Sequence, residues 1–428
     1  MAQNTPNSEL YFAIRDGSLE KATEFLNQCE DAEKILNHPY TEVSPVAYAA
    51  ELGNTEILQL LLDHGADINF GGKRGQMPLY TATRRSHLDA VKLCLKAGAK
   101  IDRQHISGNT ALLEAVKCGH IHIVEELLKN GANPKILNNG GDSALHMAAF
   151  DGNLPLVKML LEAGLPADLE KTEGHLRKVP TGLRPLHLAS LGDYHEVAAL
   201  LISHGASVND ITTGGKSALH SAARRNSLKV ASLLVQHNCA LDLYNENHKT
   251  PLNLAIDGVH LEMVKLLVAA GADVNTFDKW GCPALINAAY KDRPDIMLAL
   301  IKGGCHVNTW TFNGISPVGA CIRSHSDERH ELQYKMILLL IRAGCRPTAS
   351  DVEEIFSDPN AEKLSELLFS LCSLQEFCRY SIVTHLTTTP HLKTNKNRYM
   401  DCLSQLELPQ KLKNYLIFED IEDILESL

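Results

Sequence analysis

The stretch "KTPLNLAIDGVHLEMVKLLVAAGADVN", residues 249–275, decides the fold. Thr250 and Pro251 start a helix, with the proline at an early position where its missing N–H costs little. Ala255 lets neighbouring helices approach. Asp257 and Gly258 break the helix. "LEMVKLLVAAG" is a second amphipathic helix, closed by Gly271 at its C-terminal cap. The following "ADVNTFDKWG" is a turn that projects away from both helices.

The unit recurs along the chain. Tetrapeptides like "TPLN" begin at Ser44, Met77, Thr110 and Ser143, each 33 residues after the last. After one step of 41 they resume at Arg184, Ser217, Thr250, Pro283 and Ser316, again 33 apart. A second signature follows inside the units, as in "LLLDHGADIN" (60–69) and "LLISHGASVN" (200–209). Such a unit resembles the ankyrin repeat, which implies helix, turn, helix and a β-hairpin finger. The expected fold is an all-α repeat solenoid of nine to ten repeats. Nine lie at 41–346, and a degenerate tenth at 8–26, "SELYFAIRDGSLEKATEFL", caps the array within residues 1–40. No unit can bury its apolar face alone, so stability comes from stacking.

Composition agrees. The chain has 428 residues with only 10 Phe and 2 Trp, so an aliphatic core is expected. A net charge of −10 argues against a general nucleic-acid binder. The 11 cysteines include no C-x-x-C pair. Many fall at apolar helix positions, such as Cys94, Cys118 and Cys372, and read as reduced thiols packing as small hydrophobes. No secretory signal is expected at the first residues, and no apolar run is long enough to span a bilayer. These features point to the cytoplasm or nucleus.

Signs of catalysis or of a bound cofactor are poor. There is no G-x-x-x-x-G-K-[ST] and no H-E-x-x-H, and the glycines recur as caps and turns. His120 and His122 do not share a helix face. His146, His187 and His220 occupy repeat positions where an imidazole commonly bonds the finger backbone. No metal, no cofactor and no enzymatic activity are expected.

Two insertions interrupt the register, one within 165–184 and one at 323–330, "RSHSDERH". Both belong in surface loops, either neutral or part of a binding face.

Three columns of equivalent residues suggest contacts. Six before each repeat start stand Gly71, Gln104, Leu137, Ile211, Tyr244, Phe277 and Trp310. An apolar run on fingers, widened by Trp280, is either a partner site or a set of side chains that stiffen one another. Basic residues at first-helix ends, Arg84 and Arg85, Lys117, and Arg224 and Arg225, with Arg74 and Arg103 on fingers, could read an acidic partner segment. They could equally be solvated charges complementing helix dipoles. Asn69, Asn209, Asn275 and Asn308 each follow a leucine eight residues earlier. They resemble substrates of an asparaginyl hydroxylase, or are plain turn residues.

Past Gly344 the pattern stops. "TASDVEEIFSDPNAEKLSELLFSLC" (348–372) reads as short capping or linker helices, with an N-cap expected at Ser350 through Glu353. In "SLQEFCRYSIVTHL" (373–386), Leu374, Cys378 and Ile382 form one apolar stripe, by spacing alone a core stripe. With "LELPQKLKNYLIF" (406–418) behind it, the segment 373–428 resembles the suppressor-of-cytokine-signalling box, or SOCS box. The whole chain then resembles the ankyrin-repeat and SOCS-box family. That resemblance implies an Elongin-binding set, Leu374, Cys378 and Ile382, facing Elongin B/C. It implies a cullin-binding set, Leu408, Pro409, Leu412 and Tyr415, facing cullin five with a RING-box protein. The cullin motif usually reads L-P-apolar-P, and here Gln410 and Lys411 replace its last two residues. The implied role is a non-catalytic substrate receptor of a ubiquitin ligase, its array holding a target through Tyr244, Phe277, Trp280, Trp310, Arg84 and Arg85. The rival reading is an ankyrin scaffold or inhibitor with no ligase role.

Overall fold

Most repeats begin where a hydroxyl satisfies a free N–H in the first turn of a helix. Ser44, Thr110, Ser143, Ser217, Thr250 and Ser316 all accept from the amide three residues on. The computed structural model describes residues 8–38, 41–171, 182–323 and 330–357. The segments 373–428 and 172–181, and with them every expected Elongin- and cullin-binding residue, lie outside the described residues.

The chain divides into two compact units, residues 1–273 and 274–428. In unit one, helices Ser8–Asp16, Leu19–Gln28 and Ala32–Leu36 come first. Seven helix pairs follow. Their first helices are Pro45–Leu52, Pro78–Arg84, Ala111–Lys117, Ala144–Phe150, Pro185–Leu191, Ala218–Arg225 and Pro251–Asp257. Their second helices are Thr55–Asp63, Leu88–Lys96, Ile121–Lys129, Leu154–Glu162, His195–Ser203, Leu228–Gln236 and Leu261–Ala269. First helices pack on first helices and second on second, so each unit has two layers. Unit two holds the pairs Ala284–Tyr290 with Pro294–Lys302 and Pro317–Ile322 with His330–Arg342, then Ala349–Ser357.

The core is aliphatic, as the composition requires. Ala82, Ala115, Ala148, Ala189, Ala222 and Ala255 are fully buried on first helices, where a larger side chain would force the layer apart. Leu61, Leu127, Leu201 and Leu267 fill the second layer. Second helices end on a left-handed glycine such as Gly65, Gly205 or Gly271, and Asn238 takes that place once, at φ +55°.

Two polar devices tie repeats to their neighbours. The first is histidine. His146, His187 and His220 are buried. Nδ1 of His220 accepts from the Ser217 amide at 3.1 Å, and Nε2 donates to the Lys249 carbonyl of the next finger at 3.0 Å. His187 Nε2 reaches the carbonyls of Asp210 and Lys216. His146 Nε2 reaches that of Leu183. Burial holds all three neutral, with His187 and His220 lowered to about 4.

The second device is an Asx clamp at the base of each finger. In unit one the side chains of Asn37, Asn69, Asp102, Asp168, Asn209 and Asp242 accept from the amides of Asp67, Lys100, Asn133, Ser207, Ala240 and Asp273, at 2.7–3.0 Å. In unit two Asn275 accepts from His306 and Asn308 from Arg346, both at 2.7 Å. One rung is missing in unit one. Lys135 holds the Asx place, and the residue 31 further on is Pro166, which has no N–H to give.

Three expectations need amendment. The fingers are turns rather than extended hairpins: among the described residues the only bridges outside named strands are Ile211–Ser217 and Phe277–Pro283. The last described helix is capped by Thr348 rather than Ser350. Thr348 Oγ1 accepts from the Asp351 amide and Asp351 accepts from the Thr348 amide, because the helix begins two residues earlier than a Ser350 cap requires. Cys94 is buried with its thiol pushed up to about 12, but Cys118 caps its helix in an exposed position.

Candidate interaction face

Fingers and first helices present the side chains that the repeat does not need for itself. On the fingers, Ile211 and Tyr244 in unit one and Phe277 and Trp310 in unit two are each 41–50 % exposed. The Tyr244 ring leans on His248 of its own finger, 4.3 Å between centroids. In unit two the apolar surface is wider than the column predicts. Trp280 is exposed, with the Lys279 ammonium 4.4 Å above its ring. Phe312 is 79 % exposed, and its ring lies so close to Gly281 that a Cβ there would fall 2.3 Å away. Phe312 sits at a finger-tip column that is polar in most repeats. That break in type was its sequence signal.

At the first-helix ends the basic residues behave differently from one another. Arg84 and Arg85 both donate to one oxygen, Oε1 of Glu51, at 3.2 and 2.7 Å. Glu51 belongs to the preceding repeat and its side chain is only 17 % exposed. Arg74 pairs with Glu42, and Arg103 donates to the Asn69 carbonyl at 2.7 Å. The inserted finger is closed at its base by bonds between Lys171 and residues 182–183. Lys171 is held by Asp142, and Arg184 by Asp210 and the Asp168 carbonyl. Arg224 and Arg225 are exposed at the end of Ala218–Arg225.

A buried polar cluster that the columns did not announce lies beside Arg84. Tyr80 stands where other repeats carry the linking histidine. Its hydroxyl feels the charge of the buried Glu114, whose carboxylate accepts from Asn109 Nδ2 at 2.9 Å. The Tyr80 ring stacks on His105, 4.4 Å apart and 6° from parallel, and burial pushes its hydroxyl up to about 12.

The amides of Asn69, Asn209, Asn275 and Asn308 are all engaged in the Asx clamp, so an enzyme acting on them must first separate neighbouring fingers. Among the described residues no group of three or more His, Cys, Asp or Glu is placed to hold a metal ion. No helix among them is long and apolar enough to cross a membrane.

Comparison with known proteins gives two family matches. A model of ankyrin repeats in three copies matches overlapping windows, 10–105, 94–173, 112–212, 165–245, 186–278 and 237–311. A model of the SOCS box matches residues 370–417. An ankyrin repeat protein of Rickettsia bellii (strain RML369-C) is 34 % identical over 76 residues, 17 % of this chain. The chain spans 45 % of the length of that relative.

Proposed function

Because this chain belongs to the ankyrin-repeat and SOCS-box family, we propose that it is the substrate-recognition subunit of an Elongin B/C–cullin–RING ubiquitin ligase. The observation that carries the reading is the order of two binding modules, an ankyrin match through 10–311 and then a SOCS box at 370–417. Both modules are interaction modules rather than catalytic ones. The role they support together is proximity: a target held on one module is brought to a transferase recruited through the other.

In this reading Leu374 and Cys378, with Ile382 beside them, enter a hydrophobic pocket of Elongin C. Each apolar side chain so buried contributes about 1.5–3 kcal/mol. Leu408, Pro409, Leu412 and Tyr415 face the cullin, and Gln410 and Lys411 weaken the preference for cullin five. The target lies on the finger face, against Tyr244 and beside Arg84 and Arg85 in unit one, or against Phe277, Trp280 and Trp310 in unit two. The protein works in the cytoplasm or nucleus.

Co-expression with Elongin B and C tests the reading. The wild type should co-purify with both. The Leu374→Ala, Cys378→Phe double variant should lose both while its far-ultraviolet circular dichroism and melting curve stay those of the wild type. A wild type that is monodisperse alone and never captures Elongin would make the chain an ankyrin scaffold or inhibitor instead.

A further inference from the structure

Unit one contains eight described arginines, and six of them are engaged within the chain. Arg15 is held by Asp16, Arg74 by Glu42, Arg84 and Arg85 by Glu51, Arg103 by the Asn69 carbonyl, and Arg184 by Asp210. Arg224 and Arg225 are exposed and make no side-chain bond among the described residues. The repeat register explains why. At the places equivalent to Glu51, the preceding repeat offers Leu191 and Gly192, and the following one Asp257 and Gly258. Asp257 is already held by Lys249. Asp193, the next acid, accepts from the Val230 amide at 3.0 Å and so faces the second-helix layer. A helix C-terminus favours cations in its last turn, but here the acids within register are each already engaged elsewhere.

On the fingers of the same two repeats stand Ile211 and Tyr244, both partly exposed. A pair of unneutralised guanidiniums and two exposed apolar side chains in the same two repeats, on a chain of net charge −10, complement one kind of ligand, an extended acidic segment. We propose that this surface docks an acidic segment of the target protein, with carboxylates on Arg224 and Arg225 and an apolar residue against Ile211 and Tyr244. The proposal rests on the substrate-receptor reading and names the chemistry of what that receptor selects.

Selection from a displayed library of random dodecapeptides on the full-length chain tests it. Wild-type protein should enrich peptides rich in Asp and Glu that also carry an apolar residue. Arg224→Glu with Arg225→Glu should abolish the acidic enrichment and weaken the winning peptides by about tenfold or more. The control is Lys158→Glu with Lys229→Glu, which makes the same charge change on exposed second-helix positions and should leave the selection intact. No acidic enrichment, or equal loss in both variants, overturns the proposal. So does competition by a synthetic peptide of residues 419–428, "EDIEDILESL", at the affinity of the winners, which would assign the surface to the chain's own segment. Elongin capture is read in parallel. Acidic selection without Elongin capture sinks the ligase reading alone, and Elongin capture without acidic selection sinks this docking surface alone.

Discussion

Residues 77–135 and 209–249 solve one packing problem with different side chains. In the later stretch His220 links its helix cap to the next finger, Asn209 clamps the Ala240 amide, and the arginines at the helix end are left unpaired. In the earlier stretch Tyr80 replaces the histidine beside Glu114, Asp102 clamps the Asn133 amide but Lys135 takes the next Asx place, and both arginines hold Glu51. The contrast teaches where side chains become available. Once neutral histidine and short Asx side chains satisfy the backbone between repeats, charged groups need not serve cohesion. Where the histidine is absent, charged and phenolic groups stand in its place and lose their freedom to meet a partner.

The largest effect that separates the two is pH. His187 and His220 titrate near 4 when folded and near 6.5 when unfolded, because burial disfavours the imidazolium. A folded pKa below the unfolded one gives stability that is complete above about pH 6.5 and is lost as the pH falls toward 4. The loss should approach roughly 3 kcal/mol per ring. Urea unfolding between pH 7 and 4.5 should show it. The variant His220→Asn should flatten the slope, because Asn253 does the same capping work one repeat later without titrating in this range. An unchanged slope would remove histidine as the distinguishing link.

Tyr80→Phe comes next in size. The ring can still stack on His105, but the buried Glu114 carboxylate loses its phenolic neighbour, at a cost of about 2 kcal/mol. A loss near zero would mean that Tyr80 serves as a packed ring alone, and that the earlier stretch has no polar substitute for the histidine.

Much of this was legible in the sequence alone. The spacing of 33, the hydroxyl at most first-helix starts and the glycine at most second-helix ends follow from local rules, and Thr250, Gly258 and Gly271 stand where those rules put them. The expected cap at Ser350 was displaced by Thr348, two residues earlier. Partnerships between repeats were less legible. Glu51 lies 33 and 34 residues from its two arginines, and each regular Asx clamp reaches 31 residues ahead. Pairs at that distance are set by stacking register, so a column of like residues announces a common place but not its partner. That is why Arg84 and Arg225 look alike in sequence and differ in the fold.

The Asx clamp gives a smaller and more local test. Asn209→Ala should cost about 1–1.5 kcal/mol and speed hydrogen exchange at the Ala240 amide, whose acceptor it removes. Lys135→Ala should change stability by less than about 0.5 kcal/mol, since Pro166 offers no N–H to that place. Equal effects would show that the missing rung is compensated within the earlier stretch.

The smallest stability effect carries the functional contrast. Arg85→Ala removes one of two donors to a mostly buried carboxylate, yet the arginine is itself 56 % exposed, so solvent screening limits the loss to about 0.5–1 kcal/mol. Arg225→Ala removes no bond, and only a dipole contribution of about 0.3 kcal/mol is at stake. In binding the order should reverse: Arg225→Ala should weaken a selected acidic peptide, and Arg85→Ala should leave it near the wild-type affinity. Measuring both variants by melting and by peptide titration therefore separates the cation that holds the fold from the cation that the fold leaves exposed. If Arg85→Ala proves the more damaging in both measurements, the acidic ligand belongs on the earlier stretch, and Glu51 is a place-holder that the ligand displaces.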